Sequence, residues 1–305
     1  MHKNNLSYKR LINKYFKFIK SQEVLSEPFR DKKNQLDNFY LPICERIYKK
    51  YTKNKKTIII GLTGGQGSGK STISKILKII LKINFKLNTV IFSIDDFYKT
   101  LNQRRLMSIK ESPLFLTRGV PGTHDTSLLI NCLKNLKKLK FKKFSIPKFD
   151  KSTDNRVSKK NWQIVNLKPE IVIFEGWCVG AKPQKNKDLL LPVNDLEKEK
   201  DKNRAWRKRA NRELKGAYKK VFGFINMTIF LKVPSFRYVY KWRLLQEKKL
   251  RLNSKGKKTM NKKQIKKFIM FYERITKHML KNFSKKADAV INVDNKHRLK
   301  SIKFN

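Results

Sequence analysis

Residues Gly64, Gly65, Gln66, Gly67, Ser68, Gly69, Lys70 and Ser71 read GGQGSGKS and fit the pattern G-x-x-x-x-G-K-[ST]. Glycines in such a run let backbone N–H groups turn inward onto phosphate oxygens. Lys70 would then reach the β- and γ-phosphates, and the Ser71 hydroxyl would ligate Mg²⁺. Thr72 closes this nucleotide-binding segment. A glycine-rich loop alone also marks ordinary turns, so the flanks matter. Upstream, Thr57 to Leu62 is a short apolar run rich in β-branched residues, as a buried parallel strand requires. Downstream, Ile73, Ile76, Leu77, Ile80 and Leu81 recur at helical spacing.

Phosphoryl transfer also needs carboxylates beside the metal-bound donor and positive groups around the moving charge. Asp95 and Asp96 end the apolar run Thr89 to Ile94, and Tyr98 follows them. One carboxylate can take the acceptor's hydroxyl proton while the other ligates or orients metal-bound water. Asp95 is the candidate base and is also placed on the metal side, with Asp96 and Tyr98 toward the acceptor. The competing use of such a pair is to cap the following helix. Glu175 ends a third run, Ile171 to Phe174, where an acidic residue can contact Mg²⁺ through water; the alternative is a solvated strand-end carboxylate.

The acceptor itself calls for an anion-binding turn. Arg118-Gly119-Val120-Pro121-Gly122-Thr123-His124-Asp125 supplies Pro and two Gly residues just before a helix. Backbone N–H groups and the Arg118 fork could there face a carboxylate. His124 and Asp125 are candidates for contact with the acceptor, although a His at a helix start is often a cap or a surface residue. Lys148, Asp150 and Arg156 could form a further wall, or be ordinary hairpin charges. Farther along, Arg237, Tyr240 and Arg243 fall on similar turns of an amphipathic helix. As a lid, Arg237 and Arg243 could cover the phosphates and exclude water, with a hinge at 253–258.

These groups must be positioned by an alternating framework. Strands are expected at 57–62, 89–94, 171–174, 226–233 and 289–293. Helices are expected at 125–138, 196–222, 235–250 and 261–281. Alternation of this kind implies an α/β fold, a parallel sheet with helices on both faces and ligands outside the carboxyl ends of the strands. The loop and the two acidic clusters would then meet at one sheet edge. Residues 1–55 read as an N-terminal helical extension, with Leu11, Tyr15, Phe16 and Ile19 on one face and a second helix at 41–51. Residues 56–305 read as the P-loop domain, carrying a hairpin at about 144–165, a charged helical insertion at about 185–222 and a lid at about 235–283. The stretch 185–215 is expected to be a mobile excursion.

At 305 residues with 39% hydrophobic content, the chain can bury a substantial core. Lys and Arg number 74 against 23 Asp and Glu, a formal charge of +51, which would ordinarily suggest nucleic acid or anionic membrane. The lysines are spread over the whole chain, which favours a solvated basic surface over a dedicated nucleic-acid face. The excess would still attract an anionic substrate. Three cysteines, Cys44, Cys132 and Cys178, show neither metal-ligand spacing nor a disulfide framework. With no signal-peptide core and no membrane-length apolar run, a soluble cytoplasmic protein is expected.

Taken together, GGQGSGKST, SIDDFY, RGVPGTHD, IPKFDKSTDNR, FEGWCVGAKP and YKWRLLQE, followed by MFYERITKHML and ADAVINVD, resemble the D-glycerate 3-kinase family and its bacterial kinase-like relatives. These belong with the P-loop kinases that include phosphoribulokinase, uridine kinase and pantothenate kinase. The resemblance runs from about Leu41 to Val293. The loop and DDFY are common to the group, while RG-x-PGTHD and EGW-x-x-G-x-x-P are specific to the glycerate-kinase branch. It implies ATP and Mg²⁺ at Lys70 and Ser71, Asp95 as a catalytic carboxylate, Glu175 as the strand-end acid, and Arg118, His124 and Asp125 at the acceptor. The implied reaction is ATP-dependent phosphorylation of D-glycerate. Two alternatives stay open: a phosphoribulokinase- or uridine-kinase-like enzyme with another hydroxylated acceptor, and a nucleic-acid-binding ATPase. A GTPase switch is disfavoured, because no Asn-Lys pair has Asp at the fourth position.

Overall fold

Along the strands, successive side chains leave on opposite faces, and this alternation divides the core in two. In the strand Ile58–Gly64 (β1), Ile58, Ile60 and Leu62 join one apolar cluster and Ile59 the other. In Ile171–Gly176, Ile171 and Ile173 join the first, Val172 and Phe174 the second. Both strands are buried along their whole length, as parallel strands covered on two faces must be. The computed structural model describes residues 6–23, 29–253 and 260–305, with side chains from 249 to 253 left aside.

In chain order, helix α1 (Leu6–Gln22) is followed by α2 (Lys32–Gln35), a wide turn at Leu36–Tyr40 and α3 (Leu41–Asn54). Then come β1, α4 (Lys70–Phe85), β2 (Thr89–Ser93), α5 (Leu101–Lys110) and α6 (Thr126–Lys137). Short strands β3 (Phe144–Ile146), β4 (Phe149–Asp150), β5 (Asn155–Arg156) and β6 (Gln163–Val165) precede β7 (Ile171–Gly176). Helices α7 (Asp195–Lys200), α8 (Ala205–Lys215) and α9 (Ala217–Phe222) lead to β8 (Met227–Lys232). The chain continues through α10 (Phe236–Asn253), α11 (Lys262–Asn282), β9 (Ala289–Val293) and β10 (Leu299–Phe304).

Among the described residues the main sheet has the order β10-β9-β8-β1-β7-β2. β1 pairs in parallel with β7 and β8, and β7 with β2. The carboxyl ends of β1, β7 and β2 therefore lie side by side, with Glu175 in register with Leu62 on one flank and Ser93 on the other. Helices α1, α3 and α4 cover one face; α6, α9 and α11 cover the other. No helix among the described residues is long and apolar enough to cross a membrane.

Three expectations need correction. Phe16 is exposed, whereas Leu11, Tyr15 and Ile19 are buried. Those three are spaced by four residues, and Phe16 falls off that stripe. The expected helix at 196–222 is three helices. Asp201 accepts hydrogen bonds from the backbone N–H groups of Trp206 and Arg207, Arg204 adopts a left-handed backbone, and Gly216 separates α8 from α9. The charged segment is also anchored rather than an outlying excursion. Trp206, Ala210 and Leu214 are buried, Arg207 pairs with Asp201 at 3.0 Å, and Arg274 pairs with Glu197 at 2.6 Å. The hairpin expected at 144–165 is present, as two nested antiparallel pairs, β3 with β6 and β4 with β5. β10 was not expected; its ladder to β9 shifts register between Leu299 and Ser301, which breaks the period-two pattern a strand shows in sequence.

Candidate active site

The turn from β1 into α4 is built on backbone that side-chain-bearing residues avoid. Gly67 and Gly69 have φ of 75° and 90°. A Cβ on Gly67 would also lie 2.9 Å from Trp242 Cβ, so α10 packs directly on the loop. Gly64, Gly65, Gln66 and Ser68 complete the curve, closed by Ser68 N–H donating to the Gly65 carbonyl at 3.2 Å. Thr72 N–H donates to the Gly69 carbonyl at 3.1 Å and starts the helix. Lys70 Nζ donates to the carbonyls of Gly64 (2.9 Å) and Gly65 (3.0 Å), which holds the ammonium at the mouth of the loop. Burial lowers the Lys70 pKa, and the charges of Glu175 and Asp95 act against that shift. Ser71 Oγ donates to Glu175 Oε1 at 2.8 Å. Burial raises the Glu175 pKa, opposed by Lys70 and by the Ser71 hydroxyl. Gln66 Oε1 and Ser68 Oγ are buried polar atoms with no hydrogen-bond partner among the described residues.

Asp95 and Asp96 divide the two uses open to such a pair. Asp96 Oδ2 accepts from the Ser93 N–H at 3.0 Å and completes a capping box for the short turn 94–97; its carboxylate also pairs with Lys148 at 3.3 Å. Asp95 makes no such cap with its side chain. Its Oδ1 accepts from the Tyr98 hydroxyl at 3.0 Å and its Oδ2 from Lys151 Nζ at 2.7 Å. Burial alone would raise its pKa, but the Lys151 ammonium, with help from Tyr98, pushes it down to about 2, so Asp95 is a carboxylate at neutral pH. Tyr98 stacks on His124, with centroids 4.4 Å apart. His124 is neither a surface residue nor a cap. It is 1% exposed, its Nδ1 lies 2.5 Å from the Tyr218 hydroxyl, and burial pushes it down to about 3, so the ring is neutral.

At the turn expected to face the acceptor, Arg118 pairs with the carboxylate of Asp154 and lies over the Phe149 ring at 5.6 Å. Arg104, buried in α5, holds the same Asp154 through its main-chain carbonyl (2.6 Å) and its Oδ2 (3.0 Å). Gly119 has φ of 148°, and a Cβ there would lie 2.7 Å from Tyr272 Oη, which itself donates to the Arg118 carbonyl at 3.2 Å. The Tyr272 hydroxyl also interacts with Gln66 and Tyr98, so one side chain of α11 touches the phosphate loop, the DDFY turn and the Arg118 turn. Asp125 caps α6 by accepting from the Leu128 N–H at 3.0 Å, and its other oxygen meets Arg156 at 3.3 Å. Arg156 also donates to the Tyr98 carbonyl at 3.0 Å, so this pair pins the β4–β5 hairpin to the site. Asp150 closes the hairpin turn by accepting from Ser152 N–H and Oγ.

The two arginines expected on a lid separate. Arg243 is partly buried, pairs with Glu247 at 2.7 Å and lies over Phe268 at 5.8 Å. Burial lowers its pKa, and the nearby Arg118 charge acts in the same direction. Arg237 is exposed. Most of the expected hinge, from 254 to 258, lies outside the described residues. Sequence reading also passed over Lys151, Arg104 and Tyr272. Lys151 lies within IPKFDKSTDNR and Tyr272 within MFYERITKHML, so motif membership was the available signal.

No group of three or more His, Cys, Asp or Glu among the described residues could hold a metal ion by itself. The Ser71 hydroxyl with the carboxylates of Glu175 and Asp95 is a hard-oxygen set of the kind that binds Mg²⁺ together with phosphate oxygens, and the residues fit such an ion.

The phosphoribulokinase/uridine kinase family profile matches residues 59–196. An uncharacterized kinase of Schizosaccharomyces pombe, mug58, is 32% identical over 243 residues, covering 75% of this chain and 85% of that protein. The chloroplastic D-glycerate 3-kinase of Arabidopsis thaliana is 28% identical over 257 residues, covering 79% of this chain and 53% of that longer protein. Among solved structures, a D-glycerate 3-kinase from Cryptococcus neoformans superposes with a TM-score of 0.73 at 22% identity, over 87% of this chain and 99% of that one, a likeness of fold.

Proposed function

The chain belongs to the phosphoribulokinase/uridine kinase family of P-loop kinases, and from that premise we propose that it transfers the γ-phosphoryl group of ATP to a hydroxyl of D-glycerate. One observation carries the reading: the loop lysine, the Ser71–Glu175 pair and ionised Asp95 act on one another at adjacent strand ends, beside a guanidinium that already grips a carboxylate. The glycerate assignment draws support from the Arabidopsis relative's name and from the Arg118 fork, which suits a carboxylate acceptor.

In this reading the acceptor carboxylate lies against Arg118 and its hydroxyl faces Asp95. The hydroxyl oxygen forms a bond to the γ-phosphorus as the bond to the β-bridging oxygen breaks, ADP leaves, and the hydroxyl proton passes to Asp95. A carboxylate of low pKa suffices, because in a loose phosphoryl-transfer transition state the proton leaves late. Lys70 and the loop N–H groups hold the β- and γ-phosphates in line. Ser71 and Glu175 would hold a Mg²⁺ ion, which would neutralise phosphate charge. Arg243 and the α10 helix over Gly67 would exclude water from the transfer.

The test is ADP release measured against a panel of D-glycerate, other hydroxy acids, ribulose phosphate, uridine, pantothenate and RNA. Stimulation by glycerate supports the reading. Stimulation by another hydroxylated compound alone moves the enzyme to a different acceptor, and stimulation by RNA alone would make it a nucleic-acid-dependent ATPase.

A further inference from the structure

Lys151 stands at the tip of the β4–β5 turn, between segments that are fastened on every side. Before it, Lys148 meets Asp96 at 3.3 Å. After it, Asp154 is held by Arg104 and Arg118, Asn155 Oδ1 accepts from the Leu101 N–H at 3.2 Å, and Arg156 donates to the Tyr98 carbonyl. The Lys151 side chain is 62% exposed even so, and its Nζ reaches Asp95 Oδ2 at 2.7 Å. A fixed base with a long, solvated side chain at its tip gives an ammonium that can move over a defined small region.

That region includes Asp95, just past the end of β2, two strands along the sheet edge from the loop that follows β1. The Lys151 charge acts on Lys70, Glu175 and Asp95 together. Lys70 and Lys151 are like charges that act on each other, and the opposition is relieved when an anion lies between them. We propose that Lys151 is a second phosphate-binding lysine, which moves from Asp95 onto the γ-phosphoryl group of the bound nucleotide opposite Lys70. This rests on the phosphotransfer reading but not on the identity of the acceptor. In the same movement Lys151 uncovers the Asp95 carboxylate for the acceptor hydroxyl. The bland alternative is that Lys151 only neutralises Asp95.

Calorimetric binding of Mg-ADP and of the non-hydrolysable Mg-β,γ-imido-ATP separates the two without any acceptor present. Lys151→Met is expected to weaken the triphosphate about tenfold while ADP changes less than about twofold, the loss of one charge-assisted contact to the γ-phosphate. Lys151→Arg is expected to restore most of it. The same selective loss is expected when Lys151→Met is added to Asp95→Asn, because the contact is to phosphate. An equal effect on both nucleotides, no effect on either, or a loss that vanishes in the Asp95→Asn background would overturn the assignment. A turnover assay with glycerate that failed while this selectivity held would sink the acceptor and leave Lys151 in place. A wild-type protein that bound neither nucleotide would overturn both.

Discussion

Ser71 Oγ and Glu175 Oε1 lie 2.8 Å apart although 104 positions separate them in the chain. The contact exists because β7 runs parallel to β1, in register, so that its last residues end beside the phosphate loop. It joins the loop hydroxyl to the strand-end acid, the two oxygens that a magnesium-bound triphosphate would approach, and Asp95 lies in the turn just past the end of β2, the next strand beyond β7.

Asp95→Asn is expected to lower kcat by roughly 10²–10⁴-fold, the usual contribution of a positioned proton acceptor. ADP affinity should stay within about twofold, since Asp95 bonds to Lys151 and Tyr98 and not to the loop. Steady-state kinetics with parallel calorimetry checks this. Ordinary turnover in the variant would remove Asp95 from the reaction.

How legible the site was depended on whether residue type or geometry decides a role. The loop, its strand and its helix follow from glycine spacing and apolar periodicity, and both acidic strand ends follow from where the apolar runs stop. Asp95 is the candidate base, but residue type alone cannot say which of these adjacent, chemically identical residues caps the turn. The short turn at 94–97 sends one to a backbone cap and the other toward Lys151. Lys151 itself is one basic residue among 74, and only its place inside IPKFDKSTDNR separates it from the solvated rest. Arg104 belongs to no motif, and only the fold buries it against Asp154. The charge density of the segment around Trp206 concealed ion pairs, Arg207–Asp201 and Arg274–Glu197, that are internal.

Neutral, buried His124 predicts a pH dependence of stability. Unfolded, its imidazole takes a proton below about 6.5; folded, burial holds that proton off until about 3. The contribution is therefore complete above pH 6.5 and is lost as pH falls toward 3. Urea midpoints measured between pH 7 and 4 should fall more steeply for the wild type than for His124→Asn. Equal slopes would show that His124 is not held neutral.

Gly119→Ala should destabilise the protein by about 1–3 kcal/mol, because the site needs φ of 148° and a Cβ would meet Tyr272 Oη at 2.7 Å. It should also raise the acceptor KM, since the displaced turn carries Arg118. Pairing it with Tyr272→Phe, which removes the opposing hydroxyl, should give less than the sum of the single effects. Strict additivity in urea denaturation would mean that the two residues do not press on each other.

The most direct measurement is ³¹P NMR of the protein mixed with Mg-ATP and D-glycerate. The account predicts a phosphate monoester resonance on glycerate, growing in step with ADP and abolished by Asp95→Asn. Inorganic phosphate and ADP appearing at one rate with or without glycerate, with no ester formed, would contradict it.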